Sequence, residues 1–447
     1  MTRDLARTLR RVVVVAAVAA LLVPAAADAQ KQKSAPKPAK QSSSKPTKHR
    51  GDDDHGLNAV YTATNDPTGN AVVVYNRRAD GTINQTATVS TGGKGLATEP
   101  PFGFPIVDSS GSINLTSDGR LLFVVNAGDN TVSSFRVNGD GLKLVDREPS
   151  GGILPVSLSS NGHLLYVVNE LSGNIFGYRF SPSGKLDPIV DSEQSLSIPG
   201  PNGIAASIGF APNGRVLVVT ERFLALANPY DPNMALSPQN GVIDTFTMNA
   251  DGTPNAAQGH TAATPTPFGF TFTGAGHLLT SSAGGADTAS GQPPNVGNPA
   301  LFNGSAQSYN LTDSGAITPT SNAPSHGRAT CWIVATKDGR FAFGSNTLSG
   351  SNPATIGSGI DGLSRFAVAP DGTVTFLGNA SASGAPGFPS DEALSNDSKY
   401  LYLSVPSIFG GPSHIEVWQV GATDGSLTRI QSTPNDLPNS ASGIAAY

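Results

Sequence analysis

Seven charged and aromatic side chains in this sequence could together carry out chemistry on a small molecule. A carboxylate or an imidazole can act as a general base towards water, and an arginine can stabilise the oxyanion of a tetrahedral intermediate. An aromatic side chain can line an apolar site. The candidate catalytic residues are Glu221, His326, Arg328 and Asp391, and the candidate ligand-binding residues are Arg222, Trp332 and Phe268.

His326 and Arg328 lie shortly before Cys331 and Trp332. This spacing brings a proton carrier, a fixed cation and an aromatic ring close together. Such a set could bind a carboxylate and polarise a carbonyl. In the alternative interpretation, Cys331 and Trp332 only pack between structural units and His326 lies in a loop.

Two further pairs allow both a functional and a structural interpretation. Glu221 and Arg222 directly precede a long insertion, residues 223–240, and either belong to a site or form a weak surface ion pair. Asp391 precedes Glu392, and its carboxylate could act as a general base, bind a cation, or be a solvated strand end.

Phe268 belongs to a Pro-Phe-Gly-Phe sequence that occurs twice, at residues 101–104 and 267–270. Its recurrence predicts packing between repeated units, and a hydrophobic wall of a binding site is the alternative.

The familiar motifs of metal and cofactor enzymes are absent from the sequence. There is no H-E-x-x-H, zinc-binding cysteine pair, G-x-S-x-G, phosphate-binding loop or dinucleotide-binding glycine pattern. Residues 52–55, Asp-Asp-Asp-His, look like a metal motif, but nothing nearby would hold the ligands rigidly. We therefore expect neither a cofactor nor a metal.

The elements that must position these residues repeat along the chain. In residues 115–152 a turn glycine leads into an apolar run, and polar and Gly-Asp-Gly turns separate the alternating runs that follow. This pattern is typical of an antiparallel meander of short strands. The apolar run recurs every 43 to 63 residues, ending at Asn65, Asn126, Asn169, Glu221, Ala283, Asn346 and Val405. Seven copies predict an all-β, seven-bladed β-propeller.

The ends of the chain predict that the ring is closed. The first copy has no innermost strand before it, whereas residues 442–447 resemble residues 202–206, which precede the fourth copy. We expect the C-terminal strand to pair beside residues 59–64, which would leave no open sheet edge at the seam.

In a propeller the innermost strands line a central channel, and the loops at its mouth form a funnel where ligands bind. Counting back from each turn glycine gives the channel-lining positions Ser112, Pro155, Ser207, Gly269, Trp332 and Asp391. Most of these are small, so Trp332 and Asp391 are the candidates for chemistry at the channel.

The chain before the propeller predicts export. Residues 1–29 contain four arginines, an apolar run of twelve residues and an Ala-Asp-Ala cleavage pattern, which is typical of a secretory signal peptide. Sec export, twin-arginine export and an uncleaved anchor remain open. Residues 30–56 form a Lys-, Pro- and Ser-rich linker, expected to be disordered, and residues 57–447 form the propeller. The expected location is secreted, periplasmic or associated with the cell envelope.

Charge and cysteine content narrow the possible partners. From Gly51 onward the chain has 17 Lys and Arg against 31 Asp and Glu, and this excess of negative charge argues against nucleic-acid binding. Cys331 is the single cysteine, so no intrachain disulfide can form. We expect a monomer with no membrane span after cleavage, and a small molecule or an envelope component as its partner.

The repeats at residues 117–144 and 161–186, SDGRLLFVVN…NTVSSFRVNGDGLKL and NGHLLYVVNELSGNIFGYRFSPSGKL, resemble the lactonase family of seven-bladed propellers. This family includes 6-phosphogluconolactonase-like and muconate-lactonising enzymes, and surface proteins with YVTN repeats are more distantly similar. The resemblance implies His, Arg and Glu side chains at the channel mouth, with hydrolysis of a lactone, a carboxylic ester, as the activity.

Two functions therefore remain open. The first is an exported, lactonase-like propeller that binds or hydrolyses a small lactone or anionic ligand in its funnel. The second is a non-catalytic scaffold whose rims, including residues 223–240 and 283–305, bind a protein or polysaccharide.

Overall fold

Short runs of β-branched, aliphatic and aromatic residues, punctuated by Asp-Gly and Asn-Gly turns, form antiparallel strands throughout the described chain. The structure is a computed structural model that describes residues 58–98, 106–138, 141–198, 200–222, 241–284, 303–348, 362–381, 388–407, 413–434 and 436–447. The predicted signal peptide, the whole predicted linker, residues 223–240 and residues 285–302 lie outside these ranges.

The strands in chain order are β1 (Ala59–Ala63), β2 (Ala71–Arg77), β3 (Ile83–Ser90), β4 (Ile113–Leu115), β5 (Leu121–Asn126), β6 (Thr131–Asn138), β7 (Gly141–Pro149), β8 (Pro155–Asn161), β9 (Leu164–Asn169), β10 (Asn174–Phe180), β11 (Leu186–Pro188), β12 (Gln194–Ser195), β13 (Ala205–Phe210), β14 (Val216–Glu221), β15 (Val242–Thr247), β16 (Gln258–Thr261), β17 (Pro267–Phe272), β18 (Leu278–Ser282), β19 (Asn303–Leu311), β20 (Ile317–Arg328), β21 (Thr330–Ala335), β22 (Phe341–Asn346), β23 (Leu363–Val368), β24 (Val374–Ala380), β25 (Glu392–Leu394), β26 (Tyr400–Val405), β27 (His414–Val420), β28 (Leu427–Ser432) and β29 (Ser442–Ala446).

These strands form seven antiparallel sheets, which confirms the predicted all-β, seven-bladed propeller. Blade 1 has the order β29-β1-β2-β3, and blades 2, 4, 5, 6 and 7 are the meanders β4–β7, β13–β16, β17–β20, β21–β24 and β25–β28. Blade 3 contains β8–β12, with two short outer strands, β11 and β12, both paired with β10. A 3₁₀ turn at Gly200–Asn202 connects blade 3 to blade 4.

The burial pattern explains why the blades stack around an axis. The second strand of blade 2, β5, is buried at every position, as expected for a strand covered by sheets on both faces. The outermost strand of the same blade, β7, has no fully buried residue. The apolar core therefore lies between the inner halves of neighbouring blades.

The C-terminal strand closes the ring, as predicted. In β29, Ala446, Ala445 and Ile444 lie opposite Val60, Tyr61 and Thr62 of β1. Blade 1 is thus built from both ends of the propeller.

One channel position differs from the prediction. Strand pairing places Ser157, opposite Val168, where counting from the turn glycine gave Pro155. The cause is the turn of blade 3, where Asn161 pairs with Leu164, whereas in blade 2 the pairing stops at Leu115 and Leu122. Blade 3 therefore has a shorter turn, and the count from its glycine is displaced by two residues.

The innermost strands begin on the face of the ring where the second strands end, because the two are antiparallel. We call this the entry face. Strands β9 and β14 end there, and Glu170 and Arg222 are the residues that follow them.

Candidate functional site

Two oppositely charged side chains follow the second strands of neighbouring blades on the entry face. In the aligned repeats this position is occupied by Asp66, Ala127, Glu170, Arg222, Gly284, Thr347 and Pro406. Glu170 and Arg222 are the fully buried charged members of this set, and they belong to blades 3 and 4. Their positions in the repeat bring them towards the same part of the entry face.

Arg222 forms a buried charge cluster with two carboxylates. Its Nη1 lies 2.7 Å from Asp108 Oδ2, and its Nη2 lies 3.4 Å from Glu170 Oε2. Its Nε donates to the carbonyl oxygen of Ile204 over 3.4 Å. Arg222, Asp108 and Glu170 are 2%, 7% and 1% exposed, so water screens this cluster little.

The two aromatic residues predicted as ligand-binding form a wall beside this cluster. The Arg222 guanidinium carbon lies 4.6 Å from the centre of the Phe268 ring, a cation–π distance. The Phe268 and Trp332 rings lie 4.8 Å apart between their centroids. Arg222, Phe268 and Trp332 are therefore brought together, although blades 4, 5 and 6 supply one residue each.

The apolar surroundings of this wall come from five of the seven blades or the segments that enter them. Phe268 and Trp332 belong to one buried cluster, with the members Ile106, Ala206, Phe268, Ala329, Cys331, Trp332 and Phe388. Its position among the innermost strands places it at the axis of the ring.

Residues 106–112, which we call the crossing segment, connect blade 1 to blade 2 through the centre of the ring. Hydrogen bonds join this segment to the innermost strands, or the residues just before them, of blades 1, 3, 4, 6 and 7. The bonds are Val107 N to Ser442 Oγ (2.9 Å), Ser109 Oγ to Val156 O (2.6 Å), Ser110 N to Ala206 O (2.9 Å), Trp332 Nε1 to Ser109 O (2.8 Å) and Gly111 N to Asp391 Oδ2 (3.2 Å). Partners on opposite sides of the ring place the segment on the axis, where its Asp108 contacts Arg222.

Burial shifts the pKa of the Glu170 carboxyl group towards neutral pH. It raises the pKa of Glu170 to about 7, Arg222 acts in the opposite direction, and Asp108 adds to the rise. The Oε1 atom of Glu170 has no hydrogen-bond partner in the described part of the chain. A carboxylate with this pKa can take up and release a proton near neutral pH.

Cys331 lies in the same apolar cluster but is not suited to nucleophilic chemistry. Burial, followed by the charge of Asp108, raises the pKa of its thiol to about 12. The thiol is therefore protonated at neutral pH, and the thiolate is the reactive form.

Asp391 lies near the channel on the opposite side of the crossing segment. Its Oδ2 accepts the Gly111 N–H and its Oδ1 accepts the Glu392 N–H over 3.0 Å. Burial raises the pKa of Asp391 to about 7, against the effect of these bonds. The carboxylate therefore holds the crossing segment to blade 7 in this structure.

Glu221, next to Arg222 in the chain, contacts different residues. Its Oε1 accepts the Ile198 N–H over 3.2 Å, and the Asp244 carboxyl group is the charged neighbour that acts on it. Burial, followed by the charge of Asp244, raises the pKa of Glu221 to about 9. Glu221 therefore differs from the Arg222 cluster in two ways: its charged neighbour is Asp244, and its pKa is higher than that of Glu170.

His326 and Arg328 lie near the end of β20, the outermost strand of blade 5. The His326 ring is exposed and lies 4.6 Å from the ring of Phe376, in the outermost strand of blade 6. Arg328 is partly buried, and its carbonyl oxygen accepts the Leu348 N–H over 3.2 Å. The structure thus does not bring His326 to the axis with Arg222.

Sequence reasoning missed Asp108 and Glu170. Glu170 had a usable signal, because it occupies the same repeat position as Arg222 in the neighbouring blade. Asp108 had none, because the connection that contains it has no counterpart in the repeat.

Metal binding and membrane insertion have no support in the described ranges. There, no group of three or more His, Cys, Asp or Glu side chains is arranged to hold a metal ion. We also find no helix in these ranges with the length and apolar character needed to span a bilayer. Residues 52–55 lie outside them.

Comparison with known proteins identifies relatives of this propeller. The family described as lactonase, seven-bladed β-propeller, matches residues 67–201 and 156–290, which together span half of the chain. No curated protein sequence matches the chain.

Among solved structures, a candidate 6-phosphogluconolactonase from Bacteroides uniformis is 16% identical with a TM-score of 0.61, over 87% of this chain and 99% of its own. A candidate 6-phosphogluconolactonase from Bacteroides fragilis is 15% identical with a TM-score of 0.57, over 89% and 99%. The periplasmic gluconolactonase PpgL from Pseudomonas aeruginosa is 16% identical with a TM-score of 0.55, over 86% and 98%. At these identities the likeness is one of fold.

Proposed function

Because the chain belongs to the family of seven-bladed lactonase β-propellers, we propose that it binds and hydrolyses a small lactone on its entry face. The observation that carries this proposal is the buried cluster of Arg222, Asp108 and Glu170 beside the wall of Phe268 and Trp332. Carboxylates with shifted pKa values, next to a fixed cation in apolar surroundings, are typical of active sites.

The roles follow from the surroundings of each group. Glu170, with an uncommitted Oε1 and a pKa near neutrality, is the general base that takes a proton from water. The water oxygen then bonds to the lactone carbonyl carbon, and the Arg222 guanidinium stabilises the negative charge that develops on the carbonyl oxygen. Collapse of this intermediate breaks the ring C–O bond, and the proton on Glu170 passes to the leaving oxygen.

Asp108 is a positioning residue in this scheme. Its 2.7 Å bond to Arg222 Nη1 is shorter than the 3.4 Å contact to Glu170, so it holds the guanidinium while Glu170 is the more weakly bound carboxylate. With two carboxylates and one guanidinium, the cluster favours a neutral lactone over a phosphorylated one.

The test is hydrolysis of a panel of γ- and δ-lactones, with and without phosphate, by the purified protein. We expect Glu170→Gln to lower kcat by about 10²-fold to 10⁴-fold, because it removes the base while preserving shape. Glu148→Gln, in the partly exposed outer strand β7, is the matched control and should leave kcat unchanged.

If the folded protein turns over no lactone, the alternative is a scaffold that binds a protein or polysaccharide. Equal activity of Glu170→Gln and the wild type would remove Glu170 from the mechanism.

For location, we propose that residues 1–29 direct export and that the propeller acts outside the cytoplasm. PpgL, which has a similar fold, is described as periplasmic, and this is consistent with the proposal. N-terminal sequencing of the mature protein from fractionated cells tests it, with a start near Gln30 as the expected result.

A further inference from the structure

Two buried carboxyl groups meet inside blade 4, apart from the Arg222 cluster. Glu221 and Asp244 are both 0% exposed. In the β14–β15 pairing Glu221 lies opposite Val242, and Asp244 lies opposite Val219. Because side chains two residues apart share a face of a strand, both acidic side chains project from the same face of the sheet.

The same two positions in blades 2 and 6 contain an amide and a hydroxyl. In blade 2, Asn126 Nδ2 donates to Ser133 Oγ over 2.8 Å, and Ser133 lies opposite Val124. In blade 6, Asn346 Nδ2 donates to Ser364 Oγ over 2.8 Å. In these two blades the end of the second strand therefore donates a hydrogen bond to an acceptor on the third strand.

In blade 4 this bond requires a proton, because two ionised carboxylates have no donor between them. We propose that Glu221 is a neutral carboxylic acid that donates its O–H to Asp244, and that this shared proton is an alkaline switch on the connection between blades 3 and 4.

The contacts of the remaining oxygens support this arrangement. Asp244 Oδ2 accepts the Ser197 N–H over 2.8 Å, and Glu221 Oε1 accepts the Ile198 N–H over 3.2 Å and the Ser197 hydroxyl over 3.3 Å. Glu221 Oε2 and Asp244 Oδ1 have no hydrogen-bond partner in the described residues. These are the two atoms left to share the proton.

The charged groups around the pair do not neutralise it. Strand β13 places Ala205 opposite Glu221, and β16 places Gly259 opposite Asp244. His260 of β16 is directed to Thr245 Oγ1, whose side chain lies on the other face of the sheet. In the described ranges no Lys, Arg or His forms an ion pair with either carboxyl group.

Loss of the proton would place two negative charges in contact in the interior without a cation, a costly arrangement. Ser197 and Ile198 belong to the connection from blade 3 to blade 4, and this pair holds them with three hydrogen bonds. Alkaline pH should therefore release that connection, immediately beside Arg222. The raised pKa of Glu221 determines how stability depends on pH. The contribution of Glu221 to stability is largest when the pH is below the ordinary carboxyl pKa, and it decreases as pH rises towards about 9.

The experiment compares wild type, Glu221→Gln, Glu148→Gln and the double variant Glu221→Asn with Asp244→Ser, which installs the pair found in blades 2 and 6. Urea unfolding from about pH 6 to about pH 10 gives the number of protons that separate the folded and unfolded states. We expect Glu221→Gln to lower this number by about one, since its amide donates without titrating, and Glu148→Gln to leave it unchanged.

Infrared spectroscopy supplies a readout that does not depend on stability. At neutral pH the carboxylic-acid C=O band should be weaker in Glu221→Gln than in the Glu148→Gln control. Part of the band should remain in Glu221→Gln, because burial also raises the pKa of Glu392. An unchanged band in Glu221→Gln, or an unchanged proton number, would overturn the proposal. If Glu221→Gln does not fold, loss of the band in the wild type with a midpoint below about pH 7 overturns it.

Discussion

Glu170 and Glu221 show how residues of one type acquire different chemistry from their neighbours. Both are buried, but Glu170 faces the Arg222 guanidinium and Glu221 faces the Asp244 carboxyl group. Burial raises both pKa values, and the neighbouring charge decides how far, to about 7 for Glu170 and to about 9 for Glu221. Near neutral pH, Glu170 is therefore suited to proton transfer, whereas Glu221 retains its proton.

The thiol of Cys331 provides a residue-scale test of the apolar cluster at the axis. It is 6% exposed, and its pKa is raised to about 12 by burial. We expect a thiol reagent at neutral pH to leave the folded protein unmodified and to label Cys331 fully in denaturant. Rapid labelling of the folded protein would show that the Cys331 thiol itself is open to solvent.

At the scale of elements, the crossing segment replaces an open channel with hydrogen-bonded backbone. Trp332 is 1% exposed and donates its indole N–H to the carbonyl oxygen of Ser109, itself 1% exposed. Trp332→Phe removes this donor, so we expect a loss of about 1–3 kcal/mol in the free energy of unfolding, measured by urea titration.

Trp418→Phe is the matched control for this substitution. Trp418 is also buried, at 3% exposed, but its indole N–H has no hydrogen-bond partner in the described residues. Both variants lose similar volume, so the difference between them isolates the bond to the crossing segment. Equal losses would mean that this bond does not hold the segment.

The repeated elements explain which parts of the candidate site were predictable. Arg222 was found at the end of a recognisable strand, Trp332 by counting to the channel position of its blade, and Phe268 from its recurring Pro-Phe-Gly-Phe sequence. Whether they are functional stays a prediction. Asp108 was missed because its connection has no repeat pattern, and its position depends on contacts with distant blades. His326 was expected near the axis, but it lies on an outermost strand because β20 extends to Arg328 before blade 6 begins.

At the scale of the whole molecule, buried carboxyl groups should make stability depend on pH. Burial raises the pKa of Glu170 and Asp391 to about 7, of Glu221 to about 9, and of Glu392 well above its ordinary value. The unfolded chain loses these protons first, so stability falls as pH rises through this range.

Exposed aspartates in the turns change the pH dependence of stability in the opposite direction. Hydrogen bonds from Thr82 and Thr253 lower the pKa of Asp80 and Asp251, so their contribution is lost as pH falls below the ordinary carboxyl value. We therefore expect the melting temperature to be highest near about pH 5 and to decrease towards about pH 9. A melting temperature that rises steadily to pH values above about 8 would contradict this balance.

The architecture was more predictable than the site because it follows from repetition. Seven apolar runs with turn glycines determine the number of blades, and the likeness of the C-terminal residues to an innermost strand predicts closure. The register within a single hairpin depends on its turn, and the shorter turn at Asn161 displaced Pro155 from the channel position taken by Ser157. Local turn geometry therefore limits how accurately channel positions can be predicted by counting along the sequence.

Closure by β29 has a consequence for the whole ring. One face of this strand contributes Ile444 to a core cluster with Tyr402 of blade 7, and the other contributes Ala445 to a cluster with Leu122 of blade 2. The Thr62 hydroxyl also donates to the Gly443 carbonyl oxygen over 2.7 Å. The strand thus joins blade 7 to blade 2 through blade 1.

Deletion of residues 441–447 removes these contacts together and exposes the edge of β1, so we expect loss of the folded ring and not simply a shorter blade. Removal of Tyr447 alone is the control, because this partly exposed residue lies beyond the strand and its N–H donates one bond, to Ala59. Circular dichroism during thermal unfolding distinguishes the outcomes. A cooperative transition retained by the seven-residue deletion would show that the crossing segment alone can hold the ring closed, since its bonds to blades 3, 4, 6 and 7 would remain.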